Sequence, residues 1–141
     1  VSLFEPARRV GTLGGFLFAW EVHRRMAPRN RGTLIFTGAS ASLRGKPGLA
    51  PFTAAKAGLR AMSQSLAREF QPQGIHIAHV VIDGIINGDR IHNRAPALVE
   101  QLGEQEMLQL DDIASAYLFL HSQPHSAWTH ELDLRTFREN F

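Results

Sequence analysis

Apolar positions recur at helical spacing near the start of the chain. Leu13, Phe16, Leu17 and Trp20 fall at i, i+3, i+4 and i+7, which predicts a helix from about Phe4 to Met26. A second stripe of Phe18, Ala19, Val22 and Met26 lies on another side. A helix apolar over so much of its circumference needs covering twice, by a sheet and by a further surface. Gly11, Gly14 and Gly15 within it weaken helix propensity and permit close backbone approach. Met26 to Gly32 reads as a turn. The pattern then changes: Thr33 to Thr37 is a short apolar run without alternation, bounded by Gly32 and Gly38, as suits a strand buried on both faces of a parallel sheet.

A loop from Gly38 to Ala50 is punctuated by Gly45, Pro47 and Gly48. Pro51 suits the first turn of a helix, and Leu59, Met62, Leu66 and Phe70 form its apolar stripe, ending at Gln71-Pro72-Gln73-Gly74. Ile75 to Ile82 predicts a second buried strand. Residues 83–106 are polar and irregular, with a helical turn or two expected around Ala97 to Gln105. Asp111 and Asp112 start a helix that runs through Leu120, with acids at its positive end. Trp128 to Arg135 predicts a last strand, Leu132 and Leu134 facing one way and Glu131, Asp133 and Arg135 the other. Helices and strands in this alternation predict an α/β protein with a parallel sheet and right-handed crossovers, built as a single unit over residues 1–141.

Composition narrows the function classes. The balance of 44% hydrophobic and 20% charged residues is that of a globular domain. No apolar run approaches about twenty residues, so no membrane span is expected. Val1 to Glu5 shows no charged leader or cleavage-like site, so no signal peptide is expected. Without cysteine there are no disulfides and no thiolate chemistry, which fits a reducing, cytoplasmic setting. Net charge is +2, yet residues 1–68 hold eleven Lys and Arg against two acids, and residues 69–141 hold four against eleven. Only Arg24, Arg25, Arg29 and Arg31 cluster, where a helix end gives cations a structural reason to sit, so no nucleic-acid partner is expected. His76 and His79, three apart on a strand, are poor co-ligands, and no metal site is expected.

The chemistry turns on the segment after the first strand. Were Thr37-Gly38 the start of a phosphate-binding turn, the further glycines that let backbone amides approach a pyrophosphate would stand where Ser42 and Arg44 do. The alternative is that this loop delivers side chains to a site at the carboxyl edge of the sheet, where open α/β sheets bind ligands. Gly45-x-Pro47-Gly48-x-Ala50-x-Phe52-x-x-x-Lys56-Ala57-Gly58-Leu59, followed by Ala67-Arg68-Glu69-Phe70 and Gly74-Ile75-His76-Ile77, resembles the C-terminal half of a short-chain dehydrogenase/reductase. The likeness covers essentially the whole chain.

That resemblance implies a Rossmann-like parallel sheet with flanking helices, here only its C-terminal half with about three strands. It also implies hydride transfer with NAD or NADP on a small carbonyl or alcohol. In the family a Tyr-x-x-x-Lys pair handles the proton, a serine thirteen residues before the tyrosine orients the carbonyl, and an asparagine in the preceding helix completes a relay. Carried over, Lys56 matches, both as catalytic lysine and as a cofactor contact. Phe52 holds the tyrosine position, Ala39 the serine position with Ser40 beside it, and Gly11 the asparagine position. The Pro-Gly of the nicotinamide pocket becomes Asp83-Gly84, followed by Ile85 and Ile86. Ser40, Phe52 and Lys56 are therefore the candidate catalytic positions, with Lys56, Gly84, Ile85 and Ile86 toward the cofactor. The family's phosphate-binding half has no counterpart here, so the chain is expected to be part of a longer protein. A homo-oligomer through helices 4–26 and 51–70 is expected, and a non-catalytic binding or assembly module is the alternative to an enzyme.

Overall fold

The computed structural model describes residues 2–139, so Val1, Asn140 and Phe141 of the 1–141 unit lie outside it. The first predicted helix forms as α1 (Phe4–Arg8), a π-helical turn at Arg9–Leu13, and α2 (Gly14–Met26). Asn30, with φ of 47°, closes the following short turn, and β1 (Gly32–Thr37) begins. After a loop come α3 (Ala50–Phe70) and β2 (Ile75–Asp83), whose nine residues are all buried. β3 (Ile86–Asn87), α4 (Asp89–Arg94), α5 (Pro96–Leu102) and β4 (Leu108–Gln109) fill the stretch expected to be irregular. The chain closes with α6 (Leu110–His121) and β5 (Glu131–Arg135). Trp128, expected inside that last strand, precedes it.

The sheet is parallel and three-stranded in the order β1-β2-β5, with Gly32 opposite Ile75 and His79 opposite Glu131. β3 and β4 make a separate parallel pair. On one face of the sheet, α2 and α3 bury Ala19, Leu59, Leu66 and Phe70 against Leu34, Phe36, Ile75 and Ile77. On the other, α6 contributes Leu120, with Ile113 and Tyr117, against Ala78, Val80, Ile82, Leu132 and Leu134. The result is a three-layer α/β sandwich whose middle strand is covered on both sides, as suits a largely apolar strand in which His76, His79 and Asp83 are also buried. β1 has a neighbour on one side only among the described residues.

The first helix reaches α3 very closely. A Cβ at Gly11 would stand 2.9 Å from the Ala55 Cβ, and Thr12 Oγ1 donates to the Ala55 carbonyl at 3.0 Å. That contact sits within the π-helical turn, where Gly11 presents bare backbone to α3. The two apolar stripes divide unequally: Ala19 is fully buried and Val22 and Met26 partly so, while Phe16, Leu17, Phe18 and Trp20 are exposed. The stripe of α3 is used within the chain, Leu59, Leu66 and Phe70 being buried and Met62 partly so. No helix among the described residues is long and apolar enough to cross a membrane.

Candidate active site

At the carboxyl edge of the sheet, β1 ends at Thr37 and β2 at Asp83, and the loops leaving them face the first turns of α3. Between them lies a cleft of about 430 Å³. Ser40, Phe52, Lys56, Gly84 and Ile86 all line it, so five of the six positions singled out from the sequence converge. The sixth, Ile85, lines an adjoining cavity of about 770 Å³ that also touches Phe52, Gly84 and Ile86.

Lys56 and Phe52 are one helical turn apart on α3, which puts both side chains on one face. The Lys56 ammonium donates to the Thr37 carbonyl at 2.8 Å and lies 5.8 Å from the centroid of the Phe52 ring. Burial pushes its pKa below the ordinary lysine range, because desolvation penalises the charged form. Phe52 is 43% exposed and lines the cleft. Ala39 and Ser40 line the same wall. Ser42, by contrast, is buried and donates from its hydroxyl to the Ala39 carbonyl at 2.7 Å, stitching the loop rather than facing the cleft.

Gly84 opens the second wall with φ of 148°, a conformation that favours glycine, and the Leu108 side chain lies 3.4 Å from where a Cβ would stand. The preceding Asp83 is 1% exposed, and the Arg44 guanidinium donates to both of its carboxylate oxygens, at 2.9 and 3.2 Å. Arg135 Nη1 stands 4.0 Å from the same carboxylate. The Arg44–Asp83 pair therefore ties the loop after β1 to the end of β2 and holds the two walls of the cleft together. Sequence reasoning passed over it, although a carboxylate closing a fully buried strand signals a cationic partner. Arg90, on α4, also lines the cleft, and nothing in its local sequence marks it.

The chain's one tyrosine lies away from the cleft. Tyr117 belongs to α6 and packs with Ile35, Leu132 and Leu134 on the opposite face of the sheet from α3. Its hydroxyl is 2.7 Å from Thr37 Oγ1, and burial pushes its pKa up, partly offset by that hydrogen bond. Behind the cleft, Arg60 forms a two-point ion pair with Glu131, both bonds at 2.7 Å, and Glu131 also meets the Nδ1 of buried His79 at 3.0 Å. His76 stacks on Trp128 and bonds the Thr129 carbonyl. Among the described residues no three His, Cys, Asp or Glu side chains gather as a metal site.

Residues 3–131 match the family described as Enoyl-(Acyl carrier protein) reductase. The chain is a member of the short-chain dehydrogenase/reductase family. It is 34% identical over 125 residues to (21S)-21-acetoxyl-apo-melianone synthase of Melia azedarach, a match covering 84% of this chain and 46% of that protein. It is 33% identical over 120 residues to the 3-oxoacyl-[acyl-carrier-protein] reductase FabG of Salmonella typhimurium, covering 82% and 49%. Among solved structures, a short-chain dehydrogenase from Rhodopseudomonas palustris is 38% identical and superposes with a TM-score of 0.73 over 96% of this chain and 53% of that one. A halohydrin dehalogenase superposes with a TM-score of 0.80 at 20% identity, a likeness of fold. The chain thus spans about half the length of the curated relatives it matches.

The residues present suit the nicotinamide end of a dinucleotide and not its phosphates. A lysine ammonium, a serine hydroxyl and a glycine with open backbone converge at the sheet's carboxyl edge. The segment after Thr37-Gly38, however, turns through a short 3-10 helix at Ser40–Ser42 and a long loop, and does not lead straight into a helix N-terminus that would meet a pyrophosphate.

Proposed function

We propose that the protein carrying this chain is an NAD(P)-dependent oxidoreductase of the short-chain type, acting on a small carbonyl or alcohol with an altered proton-handling site. The observation that carries this reading is the convergence of Ser40, Phe52, Lys56, Gly84 and Ile86 on one cleft. When bound, a nicotinamide cofactor would supply the hydride to a carbonyl or accept it from an alcohol. Lys56, held beside the Thr37 carbonyl at the inner end of the cleft, has further N–H donors for a ribose hydroxyl. Gly84, Ile85 and Ile86 form the apolar wall that keeps water from the reacting carbon. Ser40 is the cleft's hydroxyl donor toward a carbonyl oxygen. Phe52 provides shape and no proton, so the transfer expected of a tyrosine falls to Ser40 or to water, and loss of a positioned acid typically slows such a step by about a hundredfold to ten-thousandfold.

The second reading, a non-catalytic binding or assembly module on the same scaffold, is favoured by the lack of any tyrosine in the cleft and by Ala39 and Gly11 standing where a serine and an asparagine are expected. A homo-oligomer built on helices 4–26 and 51–70 belongs to both readings; the exposed Phe16, Leu17, Phe18 and Trp20 support the first of these helices as an interface. A cytoplasmic setting accords with the absence of cysteine.

NADH and NADPH titration of the full-length protein, followed by turnover over a carbonyl panel, separates the readings. Absence of binding sinks the enzyme, and binding without turnover favours the module. Phe52→Tyr is expected to raise turnover by about tenfold or more if proton supply limits the rate. No gain would put the limit at Ala39 and Gly11 instead.

A further inference from the structure

The charged side chains of the cleft are all of one sign. Arg44, Lys46, Lys56 and Arg90 line it, and no Asp or Glu does. They are not equivalent. Arg44 is taken up by Asp83, and the Lys56 ammonium donates one of its hydrogens to the Thr37 carbonyl at the inner end of the cleft. Lys46 and Arg90 have no carboxylate partner among the described residues; the first comes from the loop after β1 and the second from α4, and both line the cleft with Phe52. The floor between them is apolar, formed by Leu49, Phe52, Ile82 and Ile86. The adjoining cavity carries Arg90 and Arg94 against a single acid, Asp89, so the positive field continues outward. Lys46 and Arg90 around an apolar floor, with Lys56 at its inner end, attract a ligand with a small apolar body and a negative end, because a partly enclosed cleft concentrates the field of its own charges.

We propose that this cleft binds a small ligand whose apolar body bears a terminal anionic group, a carboxylate or a phosphate, held between Lys46 and Arg90. The proposal rests on the reading of the cleft as the substrate site and adds the class of substrate: a carbonyl compound with a charged end. Arg90 offers a planar fork that matches either oxyanion at two points, and Lys46 acts as a mobile point charge. Arg44, locked to Asp83, keeps the loop bearing Lys46 in place.

Three probes of matched body test this in the full-length protein, with and without saturating NADH: 2-oxohexanoate, hexyl phosphate and 2-hexanone, followed by calorimetry. At least one anion is expected to bind about tenfold or more tightly than the neutral ketone, the attraction of a unit charge near a protein surface. Whichever anion binds identifies the source of the charge. Lys46→Gln and Arg90→Gln, both at exposed positions, are each expected to remove about tenfold of that preference and to flatten its salt dependence. Equal binding of all three probes overturns the proposal, as does anion binding that both variants leave unchanged while their circular dichroism matches the parent protein. Turnover enters none of these readouts. Binding of 2-oxohexanoate without hydride transfer to it would sink the oxidoreductase reading alone, and hydride transfer on neutral carbonyls without anion preference would sink this one alone.

Discussion

Removing the Arg44 guanidinium tests whether the cleft is held by its buried ion pair. Asp83 is 1% exposed and Arg44's side chain 34%, so Arg44→Met strands a carboxylate that has no route to bulk water. Breaking a buried pair from one side typically costs about 3–5 kcal/mol. Two features reduce that here: Arg44 is itself partly hydrated, and Arg135 lies 4.0 Å from the same carboxylate and supplies a second cation. We therefore expect about 2–3 kcal/mol from Arg44→Met in urea unfolding of the full-length protein. Arg44→Met combined with Asp83→Leu removes the stranded charge and is expected to recover most of that loss, to within about 1 kcal/mol of the parent. Arg44→Lys should fall between, because an ammonium cannot reproduce the two-point contact. An Arg44→Met loss below about 0.5 kcal/mol, the range of ordinary surface substitutions, would refute the argument. A double variant no more stable than the single one would do the same.

Acidification should destabilise the fold through the layer behind the cleft. Burial holds the His79 pKa below its ordinary value of 6.5, outweighing Glu131, with Arg60 and His130 pushing the same way as burial. The unfolded chain then binds the proton first, and stability falls as pH drops below about 6.5. Arg60 holds the Glu131 pKa below 4.5, so the stability from that carboxylate is present above about 4.5 and is lost as pH falls through its lowered value. His79→Gln should flatten the upper part of an unfolding-versus-pH curve and change the lower part less, because Arg60 is the larger influence on Glu131; an unchanged upper slope would contradict the burial argument. Gly11→Asn, the substitution that would restore the family's residue, is expected to destabilise by about 1–3 kcal/mol in thermal unfolding, because its Cβ would press on the Ala55 Cβ from 2.9 Å. A neutral result would mean that the π-helical turn yields. Tyr117→Phe should cost about 0.5–1.5 kcal/mol in urea unfolding through the lost bond to Thr37, and any effect on nicotinamide binding would mean that the two faces of the sheet are coupled.

What could be read from the sequence follows the length over which each signal repeats. The runs at Thr33–Thr37 and Ile75–Ile82 and the spaced residues of α3 gave their elements to within a residue or two, because burial on two faces or on one stripe leaves a pattern several residues long. β3 and β4 are two residues each and pair across more than twenty positions, so no periodicity could announce them. Gly45 to Lys56 placed the cleft through its fixed spacings. The clamp from Arg44 to Asp83 joins residues 39 apart, and only the second half of the argument, an acid ending an apolar strand, was visible beforehand. The apolar stripe of α3 was legible as a stripe, and the chain's own sheet covers it.

The two lysines of these 141 residues, Lys46 and Lys56, both line the cleft. An amine-directed reagent therefore finds its side-chain targets in this segment at one place, and chemical labelling becomes a footprint of the site without any engineering. The partly buried Lys56, whose ammonium is destabilised by desolvation, and the exposed Lys46 would report separately. Protection of the first would read the inner end of the cleft, and protection of the second its rim.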